Sequence, residues 1–358
     1  MIFAFFSASV YPQTIPSTRL PDIRVRALLQ SEEEQRTRMS LGTWRFFLAF
    51  LVVISHLWAN MIHGPAAYAV WGFFLISGYL MTYVVNHKYG WSLSGLKDYA
   101  INRFLRIYPA YGLACVLGYL ALTMMPGMGV QPASINPEFV LPSHWRDWLT
   151  NLTLFPFWGS GRLLVPVSSA LSVEVGVYLL IPVMAAAPSA ALLGLILSGI
   201  LNWQLGLTPE QFGLRYSGFL TCFMAFGIGS LVCHYKPQLE KLASPMGSSI
   251  AWLTHCTVWM FWGIWPWTLG LYVSLILTAW VLISFVDRKP SAFDKWLGDL
   301  SYPVYLFHTT VGVALFGLFE QQRSFTFFMA SFVVTMLFCW AVVVLIDKPL
   351  QRIKRRQA

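Results

Sequence analysis

Arg45 and His56 lie at the two ends of one apolar stretch, Arg45-Phe46-Phe47-Leu48-Ala49-Phe50-Leu51-Val52-Val53-Ile54-Ser55-His56. Eleven helical steps of about 100° come to roughly three turns plus 20°, so both side chains share one face. The rise separates them by roughly 16 Å, about half a hydrocarbon core. Asn60 and His63 continue the same stripe at i+4 and i+7 from His56. Lipid does not solvate such groups, so the stripe must look into protein or a wet cavity. An imidazole held there is suited to taking or giving a proton near neutral pH.

Three further places carry reactive types. Arg103 and Arg106 are three apart at the start of an apolar run. Two guanidinium forks at a membrane mouth suit a phosphate-bearing ligand, but they equally suit an ordinary positive-inside flank. Glu174, in Leu171-Ser172-Val173-Glu174, is the one carboxylate well inside an expected span. Such a group is costly unless paired or protonated, which favours a functional role over a structural ion pair. His308 follows Leu297-Gly298-Asp299-Leu300-Ser301-Tyr302-Pro303-Val304-Tyr305-Leu306-Phe307 and falls near mid-depth. A core histidine bonded to a backbone carbonyl is its simpler reading. Ser77, in Phe73-Phe74-Leu75-Ile76-Ser77-Gly78-Tyr79, reads first as a close-packing position and second as a nucleophile in need of a base.

The elements that must position these groups are membrane helices. Of 358 residues, 57% are hydrophobic and 11% charged, with 16 Trp and 27 Phe. That is the composition of a membrane protein. Ten spans are expected, near 43–60, 68–86, 104–125, 164–187, 189–206, 216–233, 249–262, 265–286, 301–320 and 325–346. An interfacial piece is expected near 147–158, marked by Trp145, Trp148 and Trp158. The net charge of +9 would suggest nucleic acid in a soluble chain. Here it marks cytoplasmic loops. All but four of the 24 basic residues (Arg146, Arg162, Arg215 and Arg323) fall on one side if both termini are cytoplasmic. The fold class expected is therefore all-α, a polytopic bundle of about ten spans with both termini inside. Residues 1–40 are expected to be a disordered leader, with Met39 an alternative start, 41–349 the membrane domain, and 350–358 a basic cytoplasmic tail. The five Cys sit singly in apolar segments, with neither a disulfide framework nor a metal site. A haem carried between His56 and His308, or a glycan or lipid transporter, are the readings from other classes.

Six motifs occur in order: Arg45-x10-His56, Phe73-Phe74-x2-Ser77-Gly78-Tyr79, Arg103-x2-Arg106-Ile107-x-Pro109, Leu171-Ser172-Val173-Glu174-x3-Tyr178-x3-Pro182, Leu297-Gly298-x2-Ser301-Tyr302-x2-Tyr305-Leu306-x-His308 and Asp347-Lys348-Pro349. Together they resemble the bacterial integral-membrane acyltransferases often called acyltransferase family three, over about Leu41 to Pro349. The chain departs from that pattern at Ser169-Ala170, Val175 and Asp347. The resemblance implies transfer of an acyl group, usually acetyl, from cytoplasmic acyl-CoA to a hydroxyl of an envelope or extracellular glycan, across the bacterial inner membrane. It implies that Arg45, Arg103 and Arg106 bind the donor and that His56 and Glu174 are catalytic. Ser77, Ser172, Tyr302 and His308 are supporting. Acetyl-CoA is then a donor substrate, with no metal and no haem. The partners are acyl-CoA, a glycan or glycolipid acceptor and membrane lipid, with a homo-oligomer left open. In that scheme His56 is the general base, and Glu174 orients or charge-balances it or is itself the base.

Overall fold

Asp294 shows how the bundle is tied together. In the computed structural model, which describes residues 40–58, 64–155, 161–206, 211–261 and 267–350, its Oδ1 accepts from Ser40 N at 2.8 Å, Thr43 N at 2.9 Å and Thr43 Oγ1 at 2.8 Å. Those are the orphan donors at the start of α1, Leu41–Leu57. A carboxylate at a helix N-terminus satisfies them and complements the dipole. Here the carboxylate comes from another helix, α13, Ala292–Phe316. The starts of α1 and α13 are thereby pinned together. Gly42 allows it, since a Cβ there would sit 2.2 Å from the Asp294 carbonyl oxygen. Farther along, His56 meets His308 and Leu57 meets Gly312. The two helices therefore run parallel for their whole shared length.

Between them in sequence come α2, Gly64–Val84, α3, Leu93–Met124, and α4, Trp145–Thr153. Next are α5, Ser168–Tyr178, α6, Ile181–Ala186, α7, Pro188–Gln204, α8, Phe212–Ser217, and α9, Phe219–His234. Three more lead to α13: α10, Lys236–Leu239, α11, Pro245–Phe261, and α12, Trp267–Phe285. Helix α14, Phe325–Val342, follows it. The described residues contain no strand. α2 returns along α1, with Gly72 opposite Leu48, and packs tightly on α9. A Cβ on Gly78 would lie 2.3 Å from the Phe226 carbonyl oxygen, and one on Gly229 2.0 Å from that of Leu75. Small residues at such crossings let membrane helices approach backbone to backbone.

Among the described residues, four helical stretches are long and apolar enough to cross a bilayer: Ala66–Tyr89, Leu93–Met124, Ala292–Phe319 and Phe325–Leu350. Phe219–His234 with Lys236–Leu242 makes a fifth if that pair, bent by 83°, counts as one. The expected all-helical architecture is met among the described residues, and four or five of the ten expected spans are. The other apolar helices are short. The 17 residues of α1 reach about 25 Å, less than a hydrocarbon core of some 30 Å.

Several boundaries differ from those expected. α3 begins at Leu93 and α13 at Ala292, well ahead of 104 and 301, because serine caps start them in polar sequence. Ser92 Oγ accepts from Gly95 N at 3.1 Å, and Ser291 Oγ from Asp294 N at 3.0 Å. The expected span 164–187 is divided between α5 and α6. Pro182 has no N–H for the carbonyl of Tyr178, one turn back. The hydroxyl of Tyr99 donates to that carbonyl instead, at 3.3 Å. The piece expected near 147–158 contains helix α4; Trp158 lies outside the described residues, as do the residues before Ser40, Asn60, His63 and those after Leu350.

Candidate functional site

A cavity of about 140 Å³ lies where α1, α2, α3, α5 and α13 converge. Its polar lining is Arg45, Ser77, Arg103, Arg106, Glu174 and Tyr302, joined by Tyr178 and Tyr305. Six of the residues singled out from sequence therefore share one chamber, although they come from five helices. Its apolar lining includes Val70, Phe73, Leu80 and Met81.

The charge of this chamber is unbalanced. Three guanidinium groups face one carboxylate. None of the three is ion-paired to a described carboxylate, and Arg103 Nε is buried with no hydrogen-bond partner among the described residues. Arg106 and Glu174 are charged neighbours of Arg45, while Tyr99 and Tyr178 both neighbour Arg103. An unpaired cluster of this kind in a half-buried setting is suited to a multiply charged anion. Tyr302 positions it. Its hydroxyl donates to the carbonyl of Ile107 at 3.0 Å, fastening α3 to α13 one residue beyond Arg106.

Glu174 is held by two hydroxyls. Ser77 Oγ donates to its Oε1 at 2.6 Å, and the Tyr178 hydroxyl donates to the same oxygen. Both bonds fall on one oxygen of the carboxylate. Tyr178 was no more than a motif member in the sequence. Its spacing of four from Glu174 carries the signal, since i and i+4 meet on a helix face.

His56 belongs to a second group. Its Nδ1 lies 2.8 Å from His308 Nε2, and the rings lie edge to edge and nearly coplanar, with centroids 5.1 Å apart and 6° between planes. His308 is fully buried, and its Nδ1 faces the carbonyl oxygens of Tyr305 at 2.8 Å and Val304 at 3.2 Å. Carbonyls only accept, so Nδ1 of His308 carries the hydrogen. The neutral ring then presents Nε2 as an acceptor, and His56 donates to it from Nδ1. The lone pair of His56 falls on Nε2. His308 is thus both the carbonyl-bonded core histidine of the simpler reading and the group that sets the tautomer of His56. The two rings bond directly to one another.

Neither imidazole is among the described residues lining the arginine chamber. His56 is half-buried. Arg45 and His56 stand on one helix, and of the two only Arg45 lines the chamber. Ser172 stands apart: it is buried and donates to the Ser168 carbonyl within its own helix at 3.0 Å.

A helical membrane protein with an anion-seeking chamber at one level and a hydrogen-bonded histidine pair at another has the parts of a group-transfer enzyme. Residues 40–344 match the acyltransferase domain of acyltransferase family 3, and the chain belongs to that family. Comparison with curated proteins and with solved structures returned no match. The protein is an acyltransferase by family.

Proposed function

We propose that the protein transfers an acetyl or other short acyl group from cytoplasmic acyl-CoA to a hydroxyl of an envelope or extracellular glycan, as a multi-pass protein of the bacterial inner membrane. The observation that carries this reading is the gathering of Arg45, Arg103 and Arg106 in one chamber without described carboxylate partners, one compartment away from His56. The phosphate groups of acyl-CoA suit such a cluster. Arg103 and Arg106 hold them, Arg45 assists, and Glu174, clasped by Ser77 and Tyr178, keeps the guanidinium groups spread.

His56 Nε2 takes the proton of the acceptor hydroxyl, and the oxygen attacks the thioester carbonyl. The C–O bond forms, the C–S bond breaks, and the imidazolium returns its proton to the departing sulfur. An ester and free CoA result, with no redox change. His308 holds the ring of His56 and shares the positive charge that develops on it. General base catalysis of this kind is worth roughly 10²–10⁴ in rate. The match to an acyltransferase domain does not favour a transporter.

The test uses membranes containing wild type or His56→Ala, supplied with radiolabelled acetyl-CoA. Label entering alkali-labile ester on envelope glycan with wild type alone supports the assignment. Equal labelling by the variant removes His56 from the chemistry.

A further inference from the structure

The end of α2 carries a cation that the arginine chamber does not include. α2 returns along α1 with Gly72 opposite Leu48, so its last turn lies beyond Arg45, on the side away from His56. There α2 closes in a π-helical turn, Val85–Tyr89, and the chain passes through Gly90 toward α3. The turn is firmly built. Gly90 N donates to the Val85 carbonyl at 2.9 Å, with a φ of 71° that favours glycine. A Cβ on Gly95 would lie 2.0 Å from the Tyr89 carbonyl oxygen, so the start of α3 is packed directly on the turn. Single π-helical turns of this kind are frequent at functional sites.

A line of contacts leads from Arg103 out to this turn. Tyr99 is one helical turn before Arg103 on α3, about 6 Å in rise, and is its electrostatic neighbour. The ring of Tyr99, buried, meets the ring of Tyr89 at 5.9 Å and 72°. Over the ring of Tyr89 lies Nζ of Lys88, 5.4 Å from the centroid. Lys88 is exposed and makes no ion pair with a described residue. A lysine held against an aromatic face keeps its N–H donors for another partner.

Acyl-CoA carries negative charge in two places. A diphosphate joins its thioester arm to the adenosine, and a separate monophosphate sits on the ribose. The diphosphate is the group suited to the three arginines. With the thioester arm directed toward His56, the adenosine points the opposite way, toward Tyr99 and Tyr89. We infer that Lys88, carried on the π-helical turn, is a second phosphate subsite and takes the ribose monophosphate of acyl-CoA. The inference rests on the donor reading given above. It gives Lys88 a task that an ordinary positive-inside flank lacks, namely telling acyl-CoA from the same thioester without its ribose phosphate. Lys97 supplies the comparison. It is exposed near the start of α3, but it stands two residues from Tyr99 and so on a different face of the helix.

The experiment compares acetyl-CoA with acetyl-3′-dephospho-CoA as donors for wild type, Lys88→Gln, Lys88→Arg and Lys97→Gln in membranes. Wild type is expected to show a KM about fivefold or more higher for the dephospho donor, with similar kcat. Lys88→Gln is expected to raise KM for acetyl-CoA by that factor and to leave the dephospho donor unaltered, so the preference disappears. Lys88→Arg and Lys97→Gln are expected to keep it. Equal KM for the two donors in wild type, or a full preference in Lys88→Gln, overturns the inference. So does an equal loss of preference in Lys97→Gln, which would mark attraction by diffuse surface charge. Displacement of radiolabelled acetyl-CoA by CoA and by 3′-dephospho-CoA gives the same comparison without turnover, so a weakly active variant still reports. Failure of wild type to bind or use any acyl-CoA overturns the donor reading itself. Good acetyl transfer with no preference between the two donors overturns the Lys88 subsite alone.

Discussion

Nδ1 of His56 lies 2.8 Å from Nε2 of His308, and the far nitrogen of His308 is bonded to backbone carbonyls of its own helix. The chain of bonds leads from a fixed backbone through a buried ring to a half-buried one. Its effect is to choose which nitrogen of His56 is basic. Replacement of His308 by Ala is expected to lower acetyl transfer by about 10–150-fold, the worth of one hydrogen bond to a group that becomes charged. His308→Gln, which can still accept from His56, is expected to restore part of it. Activity near wild type in His308→Ala would reduce His308 to a packing residue.

The arginine chamber makes a different forecast. Arg103→Gln and Arg106→Gln are each expected to raise KM for acyl-CoA by about 10–100-fold with a smaller change in kcat, since they remove contacts to a part of the donor that does not react. Titration of acyl-CoA in the transfer assay separates the two constants. A fall in kcat with KM unaltered would move these arginines from binding to chemistry.

Asp294 has no place in the chamber, yet α1 depends on it. Asp294→Ala leaves the N–H groups of Ser40 and Thr43 and the Thr43 hydroxyl without their acceptor. A loss of about 1–3 kcal/mol is expected. It should appear as a lower Tm in detergent, with weakened transfer because α1 carries both Arg45 and His56. An unmoved Tm would show that the joint between α1 and α13 stands on packing.

Arg215 supplies the opposite case. It is fully buried, with the Tyr272 side chain beside it and no described carboxylate in ion-pair reach. Tyr272 donates its hydroxyl to Asn202 Oδ1 at 2.9 Å. A buried charge without a carboxylate partner among the described residues is a cost to the fold. Arg215→Met, similar in length and uncharged, is expected to stabilise the protein by about 1–4 kcal/mol. The check is thermal unfolding in detergent, where a lower Tm would show that the guanidinium is engaged.

Much of this molecule was decided by residue type and spacing alone. Apolar runs and a low charge content dictate membrane helices, because the backbone can satisfy its hydrogen bonds in lipid in few other ways. Arg45, Arg103, Arg106, Glu174 and His56 are conspicuous because each is costly to bury in such helices. The 3.6-residue period also puts Arg45 and His56 on one face. What each meets on that face lies far away in sequence and depends on packing. Close approach at Gly42 brings up Asp294, and nothing local predicts that His308, farther along the same helix α13, will seat itself against His56. Convergence of five helices puts Ser77, Glu174 and the three arginines in one chamber, and the register of α2 against α13 sets Phe73 opposite Tyr305. Spacing along one chain fixes the face a side chain occupies. Only the neighbours supplied by other helices determine its partners, and those partners decide whether a costly buried group binds an anion, holds a proton or stands alone.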